Sequence, residues 1–176
     1  MPLCHLILGG ARSGKSRFAE QAAQSAFKQS MGGKLIYLAT AAADDDEMAR
    51  RIDHHQLRRG PEWNLIEEPL AIADVIDQVY DSSTILIDCL TLWLSNCLHN
   101  NCWVEQRSNL LSALDNTPAN VIMVSNEVGS GVVPMGELSR QFVDESGWLH
   151  QQIASIASDV SLVIAGLEMP LKREPQ

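Results

Sequence analysis

The clearest chemical signal in this sequence is a short glycine-rich loop near its amino terminus. The pattern G-x-x-x-x-G-K-[ST] is met by Gly9-Gly10-Ala11-Arg12-Ser13-Gly14-Lys15-Ser16, which follows an apolar run and precedes a helix-forming stretch. In such a loop the backbone N–H groups surround a phosphate, and the N-terminus of the following helix faces the same anion. Lys15 is expected to reach the β and γ phosphates, and Ser16 to ligate Mg²⁺. The motif predicts nucleotide binding; a plain glycine turn is the weaker interpretation.

Two carboxylates follow other apolar runs, and the first of them is a candidate metal ligand. Asp88 directly follows Thr84-Ile85-Leu86-Ile87 and is the candidate Walker B residue. Glu127 follows the run 121–125. Because ligands collect at the carboxyl ends of parallel strands, both carboxylates are expected near the phosphates. An Asp at the end of a strand is more often a turn or helix cap, and only the phosphate loop favours the metal-binding role here.

A histidine pair lies among arginines in the segment 44–59, which opens with acidic residues and closes with basic ones. This charge order predicts a helix. Residues four apart share a helix face, which produces two His-Arg groups: Arg51 with His55 and Arg59, and Arg50 with His54 and Arg58. Neighbouring cations disfavour imidazole protonation and offer guanidinium groups to phosphate oxygens, so a neutral histidine here is a candidate nucleophile. A solvated basic helix end explains the same residues, and spacing does not choose between His54 and His55.

The elements that must position these residues alternate between strands and helices. Short Leu/Ile/Val-rich runs predict buried parallel strands at 3–8, 35–39, 84–87, 121–124 and 160–165, with a further edge strand at 63–67. Apolar residues at helical spacing predict helices at 15–31, 44–59, 104–114 and 137–157. The predicted fold class is therefore α/β, a P-loop NTPase-like domain with a mostly parallel central sheet and helices on both faces.

Length and composition limit the possible functions. The 176 residues carry 13 Lys+Arg against 22 Asp+Glu, a net charge of −9. This length predicts one domain, residues 1–176, with a core that needs no disulfide or metal. The acidity argues against a general nucleic-acid or anionic-membrane binder. The four cysteines include no C-x-x-C pair, and the N-terminus is unlike a signal peptide, which predicts a cytoplasmic protein. No apolar run reaches roughly 20 residues, so no membrane span is expected.

Further motifs carry a resemblance to one family. They comprise Tyr37-Leu38-Ala39-Thr40-Ala41, Asp46-Glu47-Met48, the pattern R-I-x-x-H-x-x-x-R at 51–59, Trp63, Glu67, Ser125-Asn126-Glu127-Val128-Gly129, Gly131-Val132-Val133-Pro134, Leu138-x-Arg140-x-Phe142-x-Asp144, Gly147, Gln151, Ala165-Gly166-Leu167 and Lys172. With the phosphate loop they span nearly the whole chain. The sequence resembles the bifunctional adenosylcobinamide kinase/adenosylcobinamide-phosphate guanylyltransferases of cobalamin biosynthesis.

The resemblance implies two reactions on a corrinoid. An NTP phosphorylates the aminopropanol hydroxyl of adenosylcobinamide, and GMP is then transferred from GTP to that phosphate, which releases pyrophosphate and yields adenosylcobinamide-GDP. The GMP is expected to pass through a covalent GMP-histidine, and the family pattern assigns that histidine to His55. Lys15 is the second expected catalytic residue. GTP and ATP are the implied nucleotides and Mg²⁺ the implied metal.

The resemblance also implies the residues that contact nucleotide and metal. Nucleotide contacts are expected from the phosphate loop and from Ala39, Thr40, Ala41, Gln56, Leu57, Arg58, Arg59, Glu67 and Asp88; Mg²⁺ contacts are expected from Ser16 and Asp88. Family members are expected to form homo-oligomers, specifically trimers, and exposed apolar positions around 90–98 could serve that interface. Trp93 and Trp103 could line a corrinoid surface or a subunit contact, although a core role fits each better.

Two other functions use the same motifs. One is a plain P-loop small-molecule kinase that uses Lys15, Ser16 and Asp88 without a covalent step. The other is a nucleotide-gated binding module or motor subunit, which predicts stimulated NTP hydrolysis and an arginine finger from a partner. The acidic composition argues against a motor that moves along nucleic acid, because such a motor needs a basic surface. A covalent GMP adduct separates the bifunctional enzyme from the plain kinase.

Overall fold

The computed structural model describes residues 2–30, 32–41, 60–79 and 82–173. Within these ranges the strands are β1 (Cys4–Gly9), β2 (Leu35–Ala39), β3 (Trp63–Glu67), β4 (Thr84–Asp88), β5 (Asn120–Asn126), β6 (Asp159–Ile164) and β7 (Leu167–Arg173). The helices are α1 (Lys15–Gln29), α2 (Ile72–Asp77), α3 (Leu90–His99), α4 (Trp103–Asn116) and α5 (Glu137–Ile156). The predicted segment 44–59, with its histidine pair, lies outside the described residues.

The described strands form one seven-stranded sheet in the order β3-β2-β4-β5-β1-β6-β7. Every neighbouring pair is parallel except β6 and β7, which are antiparallel. β1 lies between β5 and β6, with Gly9 opposite Asn126 on one side and Val163 on the other. The carboxyl ends of β1, β4 and β5 therefore meet at one edge of the sheet, where the phosphate loop begins.

Helices cover both faces of this sheet, as the alternating pattern predicts. On one face α1 packs through small residues, Ala19 and Ala23, against strand residues such as Ile7 and Ile122. The other face carries α2 to α5 over a larger core. Strands buried between two helical layers explain the continuous apolar runs in the sequence. The α/β, P-loop NTPase-like class predicted from the sequence is confirmed.

The sequence-based prediction of an exposed apolar segment at 90–98 is wrong. Residues 90–99 form α3, and Leu90, Trp93, Leu94 and Cys97 are all fully buried. Their spacing of three and four residues places them on one helix face, which packs into the core. Trp103, at the start of α4, is also buried, so the core role expected of both tryptophans is confirmed.

Besides α3, two elements extend the predicted set. The short helix α2 follows β3, and β7 extends the sheet beyond β6. β6 and β7 are joined by the two-residue turn Ala165-Gly166, in which both residues have positive φ (53° and 79°). This is the backbone geometry of a tight β-hairpin, which favours glycine at its second position. Among the described residues, no helix combines the length and apolar character needed to cross a bilayer.

Candidate active site

The phosphate loop connects the end of β1 to the start of α1 and is fixed by its own backbone. The Ser13 N–H donates to the Gly10 carbonyl at 3.3 Å, and the Glu127 N–H, after β5, donates to the Gly9 carbonyl at 3.1 Å. α1 begins at Lys15 without a side-chain cap, so its first N–H groups remain available to an anion. The arrangement matches what the motif predicts.

Glycine is required at two positions of this loop. A Cβ on Gly9 would lie 2.5 Å from Ser13 Oγ and 2.6 Å from the Val163 carbonyl oxygen, so no side chain fits there. Gly14 has φ +96°, and a Cβ on it would lie 3.1 Å from Gly166 Cα. Gly14 therefore provides both the backbone conformation and the close approach that the turn into α1 needs.

The β6-β7 turn supports the loop from outside. The Gly166 N–H donates to the Ser13 carbonyl at 2.8 Å. The Ser13 hydroxyl is buried and finds no hydrogen-bond partner among the described residues. A buried hydroxyl without a partner is unfavourable unless something supplies one. Because this hydroxyl belongs to a phosphate-binding motif, a phosphate oxygen is a suitable partner.

Lys15 lies at the loop with little exposure to solvent. Its side chain is 8% exposed, and Nζ donates to the Gly10 carbonyl at 3.0 Å. Burial lowers the pKa of this ammonium, while the nearby Cys89 and Asp88 act in the opposite direction. A partly desolvated cation interacts more strongly with an anion than one in bulk water. Lys15 is therefore suited to neutralise charge that develops on phosphate oxygens.

Asp88 ends β4 and its carboxylate accepts a hydrogen bond from the Tyr37 hydroxyl. β5 lies between β4 and β1, so two strand spacings of about 4.8 Å separate Asp88 from the loop strand. The Ser16 hydroxyl and the Asp88 carboxylate are hard oxygen donors of the kind that Mg²⁺ prefers. Among the described residues no three His, Cys, Asp or Glu side chains cluster to enclose a metal. The donor set therefore fits a Mg²⁺ ion that completes its shell with water and phosphate oxygens.

The stretch Ala39-Thr40-Ala41 lies beside Asp88, and Thr40 is fully engaged within the protein. Its hydroxyl donates to the Cys89 carbonyl at 2.8 Å and accepts from the Cys89 N–H at 3.0 Å. Its carbonyl accepts from Asn96 Nδ2 at 2.8 Å. Ala39 and Thr40 are buried and Ala41 is half-buried. Thr40 therefore joins β2 to the start of α3, and Ala41 is the surface residue of the three.

Glu67 lies further from the phosphate loop than the other expected contacts. It is exposed at the end of β3, an edge strand of the sheet. Four strand spacings separate β3 from β1, roughly 19 Å at about 4.8 Å each. The structure therefore brings together the loop, Asp88 and Glu127 but places Glu67 at the opposite end of the same sheet edge. The remaining expected contacts, His55 and Gln56-Leu57-Arg58-Arg59, lie outside the described residues.

Glu127 is held in place just beyond β5. Its carboxylate accepts hydrogen bonds from the N–H groups of Gly129 at 2.7 Å and Ser130 at 3.2 Å. Burial acts to raise the pKa of Glu127, but hydrogen bonds from Ser130 and Gly129 and the nearby His150 outweigh it, so the pKa is lowered. An ionised carboxylate is therefore fixed directly beside the loop strand, as its position after a strand predicts.

Sequence reasoning missed a polar cluster between the carboxyl ends of β4 and β5. Thr91 Oγ1 lies 3.3 Å from Cys89 Sγ and 3.3 Å from Asn126 Nδ2. Beneath it, His150 Nε2 of α5 lies 2.7 Å from the fully buried Ser125 hydroxyl. Burial lowers the pKa of His150, although Glu127 acts to raise it. Cys89, Ser125 and Asn126 end or directly follow strands, which is the sequence signal they carry, whereas Thr91 and His150 lie within helices and carry none.

The loop, its lysine and the carboxylate at the end of a nearby strand define a P-loop NTPase-like, nucleotide-binding α/β domain. Two solved structures share this fold. One is a Pyrococcus horikoshii OT3 protein, with a TM-score of 0.55 and 8% identity, covering 100% of this chain and 90% of that one. The other is the flagellar accessory protein FlaH of Methanocaldococcus jannaschii, with a TM-score of 0.51 and 12% identity, covering 97% of this chain and 78% of that one. At such identities the likeness concerns the fold alone.

The particular family follows from the sequence comparison. The family model described as cobinamide kinase/cobinamide phosphate guanyltransferase matches residues 5–171, and this chain belongs to that family. It is similar to the bifunctional adenosylcobalamin biosynthesis protein CobP of Pseudomonas aeruginosa, with 50% identity over 174 residues covering 97% of this chain and 98% of the relative. The proteins CobU of Escherichia coli and Salmonella typhimurium are 35% and 34% identical, each covering 95% of this chain and 98% of the relative.

Proposed function

We propose that this protein phosphorylates adenosylcobinamide with an NTP and then transfers GMP from GTP to the resulting phosphate, forming adenosylcobinamide-GDP and pyrophosphate. One observation carries the proposal: a phosphate loop with a nearly buried lysine lies beside Asp88 in a chain whose residues 5–171 match the cobinamide kinase/guanyltransferase model. A kinase needs a site for the γ phosphate of its NTP, and a guanyltransferase needs a site for GTP. A single phosphate loop can hold the leaving phosphates in both reactions.

In the kinase step the hydroxyl oxygen of the aminopropanol arm attacks the γ phosphorus. The bond from that phosphorus to the β–γ bridging oxygen breaks, the hydroxyl proton passes to solvent, and NDP leaves. Negative charge grows on the bridging oxygen, where Lys15 and the N–H groups of the loop are positioned to stabilise it. Ser16 and Asp88 would hold a Mg²⁺ ion, which would supply further positive charge to these phosphates.

In the guanylyl transfer an imidazole nitrogen of His55 attacks the α phosphorus of GTP. The bond from the α phosphorus to the α–β bridging oxygen breaks, pyrophosphate leaves, and the ring proton passes to solvent. A phosphate oxygen of adenosylcobinamide phosphate then attacks the same phosphorus, the P–N bond breaks, and the imidazole recovers a proton. Two displacements at one phosphorus let the protein accept GMP before the bulky second substrate arrives.

The same proposal extends to the state of the protein. We place residues 1–176 in one working domain and expect it to act in the cytoplasm as a homo-oligomer, a trimer by resemblance to its family. GTP and ATP are the nucleotides proposed for it. The support for these statements is family membership, together with a chain that spans almost the full length of its relatives.

A mass measurement tests the covalent step. The protein is incubated with GTP and Mg²⁺ and digested with trypsin at neutral pH, because a P–N bond is acid-labile. We expect the peptide 52–58, which holds both histidines, to gain the mass of GMP minus water. His55→Asn should remove the adduct and leave phosphorylation of adenosylcobinamide in place, while the neighbouring His54→Asn keeps both.

Each contrary result has a definite meaning. An unmodified peptide in a protein that phosphorylates adenosylcobinamide would leave the plain kinase as the correct function. Loss of the adduct in His54→Asn alone would move the nucleophile to His54. If neither corrinoid phosphorylation nor the adduct is detected with ATP or GTP, the proposed enzyme is wrong. Lys15→Met serves as the inactive control, because it removes the loop cation from both reactions.

A further inference from the structure

A wide groove opens on the helical face of the sheet that carries α2 to α5. It has a volume of about 1190 Å³ and lies between α3, the start of α4, the first half of α5 and the segment 128–136. Typical small-molecule sites occupy about 300–1000 Å³. The groove is therefore large enough for a ligand of macrocycle size, and the reactions described above do not otherwise use it.

The walls of the groove combine apolar side chains with neutral polar ones. Leu98, Val104, Leu138 and Phe142 provide apolar surface, and Val104 and Leu138 are 71% and 80% exposed. Hydroxyl and amide groups lie among them, from Ser95, Asn101, Ser139 and Gln141. This combination suits a large flat ligand whose faces are apolar and whose rim carries amides, because amides exchange hydrogen bonds with amides and hydroxyls.

The charge of the lining residues does not favour a phosphate ligand. Neither lysine nor arginine is among the lining residues, whereas Glu105 and Glu145 are. Arg107 pairs with Glu145 at 3.1 Å, so Glu105 adds to the negative side of the balance. Among these lining residues a nucleotide would meet neither lysine nor arginine, and His99 is their one imidazole. A corrin ring with Co(III) carries net positive charge and abundant amides, so cobinamide complements this lining.

The groove begins beside the phosphate site. Val128, one of its lining residues, directly follows Glu127, whose N–H donates to the Gly9 carbonyl at 3.1 Å. Pro134 and Leu138 continue the wall along the same segment and into α5. A macrocycle in the groove would therefore lie next to the carboxyl edge of the sheet, where its flexible aminopropanol arm could extend toward the γ phosphate.

We propose that this groove binds the corrin ring of adenosylcobinamide, with Leu138 in contact with the ring and Glu105 attracting its charge. The proposal rests on the proposed function for the identity of the ligand. Its physical basis is the size of the groove, its mixed apolar and amide lining, the acidic charge balance and the continuity with the phosphate loop. Leu138 and Glu105, which carry the apolar contact and the charge, lie outside the phosphate loop.

The test replaces Leu138 by Arg, which adds bulk and positive charge at an exposed position. We expect the KM for adenosylcobinamide in the kinase reaction to rise about tenfold or more, because the ring loses an apolar contact and meets a like charge. Binding of a fluorescent GTP analogue should change by less than about twofold, as for a surface substitution. Leu171→Arg, on β7 away from the turn and exposed at 56%, is the matched control and should change neither value.

A second variant, Glu105→Lys, tests the charge without filling the groove. We expect a smaller rise in the KM for adenosylcobinamide that declines with added salt, because surface charges are screened. Direct binding is measured by equilibrium dialysis of adenosylcobinamide, read from its own absorbance, without nucleotide. Binding to the wild type that is lost in Leu138→Arg supports the groove even if no turnover is found, and in that case only the proposed function fails.

Three results would overturn the assignment of the groove. The first is turnover by the wild type with an unchanged KM for adenosylcobinamide in both Leu138→Arg and Glu105→Lys. The second is a change of sedimentation coefficient in Leu138→Arg with corrinoid binding intact, which would make the groove a contact between copies of this chain. The third is no binding of adenosylcobinamide to the wild type by dialysis.

Discussion

Replacing Gly9 by Ala tests the close approach of strands on which the phosphate loop depends. The new Cβ would lie 2.5 Å from Ser13 Oγ and 2.6 Å from the Val163 carbonyl oxygen, both well inside normal contact distances. The Ser13 side chain can rotate away, but the Val163 carbonyl belongs to β6, which is paired to β1 at this position. The backbone must therefore shift to accept the methyl group.

The expected loss follows from the size of that shift. Overpacking of one methyl into a tight site destabilises a protein by about 1–3 kcal/mol. For a chain of this length each kcal/mol lowers the Tm by about 2–4 °C. Because the displaced groups include Ser13, nucleotide binding should weaken as well. Urea unfolding of the nucleotide-free protein measures the stability, and titration with a fluorescent GTP analogue measures the binding.

The neighbouring Gly10 is the control for stability. A Cβ there meets nothing within 4 Å among the described residues, so Gly10→Ala needs no backbone movement. It should be neutral or up to about 1 kcal/mol stabilising, since alanine reduces the entropy of the unfolded chain. If Gly9→Ala unfolds at the same urea concentration as Gly10→Ala, with equal m values, the strand contact does not constrain the loop and the reasoning is wrong.

Two further predictions concern the helical layer. The indole N–H of the buried Trp103 donates to Glu145 Oε2 at 2.7 Å, and Glu145→Ala removes this acceptor. We expect the free energy of unfolding, measured in urea, to fall by about 1–3 kcal/mol. The control Glu105→Ala should lower it by less than about 0.5 kcal/mol. An equal effect of both would contradict it. Because burial lowers the pKa of His150 below 6.5, the unfolded chain binds more protons in the window below that value, and stability should fall as pH decreases there. His150→Gln should flatten this slope by at most about 1.4 kcal/mol per pH unit, with part remaining from His5, whose pKa burial also lowers. An unchanged slope would show that His150 does not contribute.

Much of the site is readable from the sequence because its geometry is local. The phosphate loop is one contiguous motif, and Asp88 and Glu127 each directly follow an apolar run that forms a strand. The strands 35–39 and 63–67 have the predicted bounds, since turn residues and polar residues limit them clearly. Once the strands are parallel, the position of these carboxylates at one edge follows without further information.

The rest depends on contacts between distant segments. The His150–Ser125 hydrogen bond joins residues 25 positions apart, and no local pattern reports it. β7 is not predicted from the sequence because Pro170 interrupts its apolar residues. Three of these, Leu167, Met169 and Leu171, are largely exposed. The sheet tolerates this proline because β7 is an edge strand. Its tight turn, Ala165-Gly166, was the available signal. For the segment 90–98, apolar residues at helical spacing do not by themselves distinguish a face that packs into the core from one that faces a partner, and here they form core.

The support that the Gly166 N–H gives to the Ser13 carbonyl joins the far end of the chain to its beginning. The phosphate loop is thus completed by a hairpin more than 150 positions downstream. During synthesis on the ribosome, the phosphate loop therefore lacks this hydrogen bond until the β6-β7 hairpin has emerged.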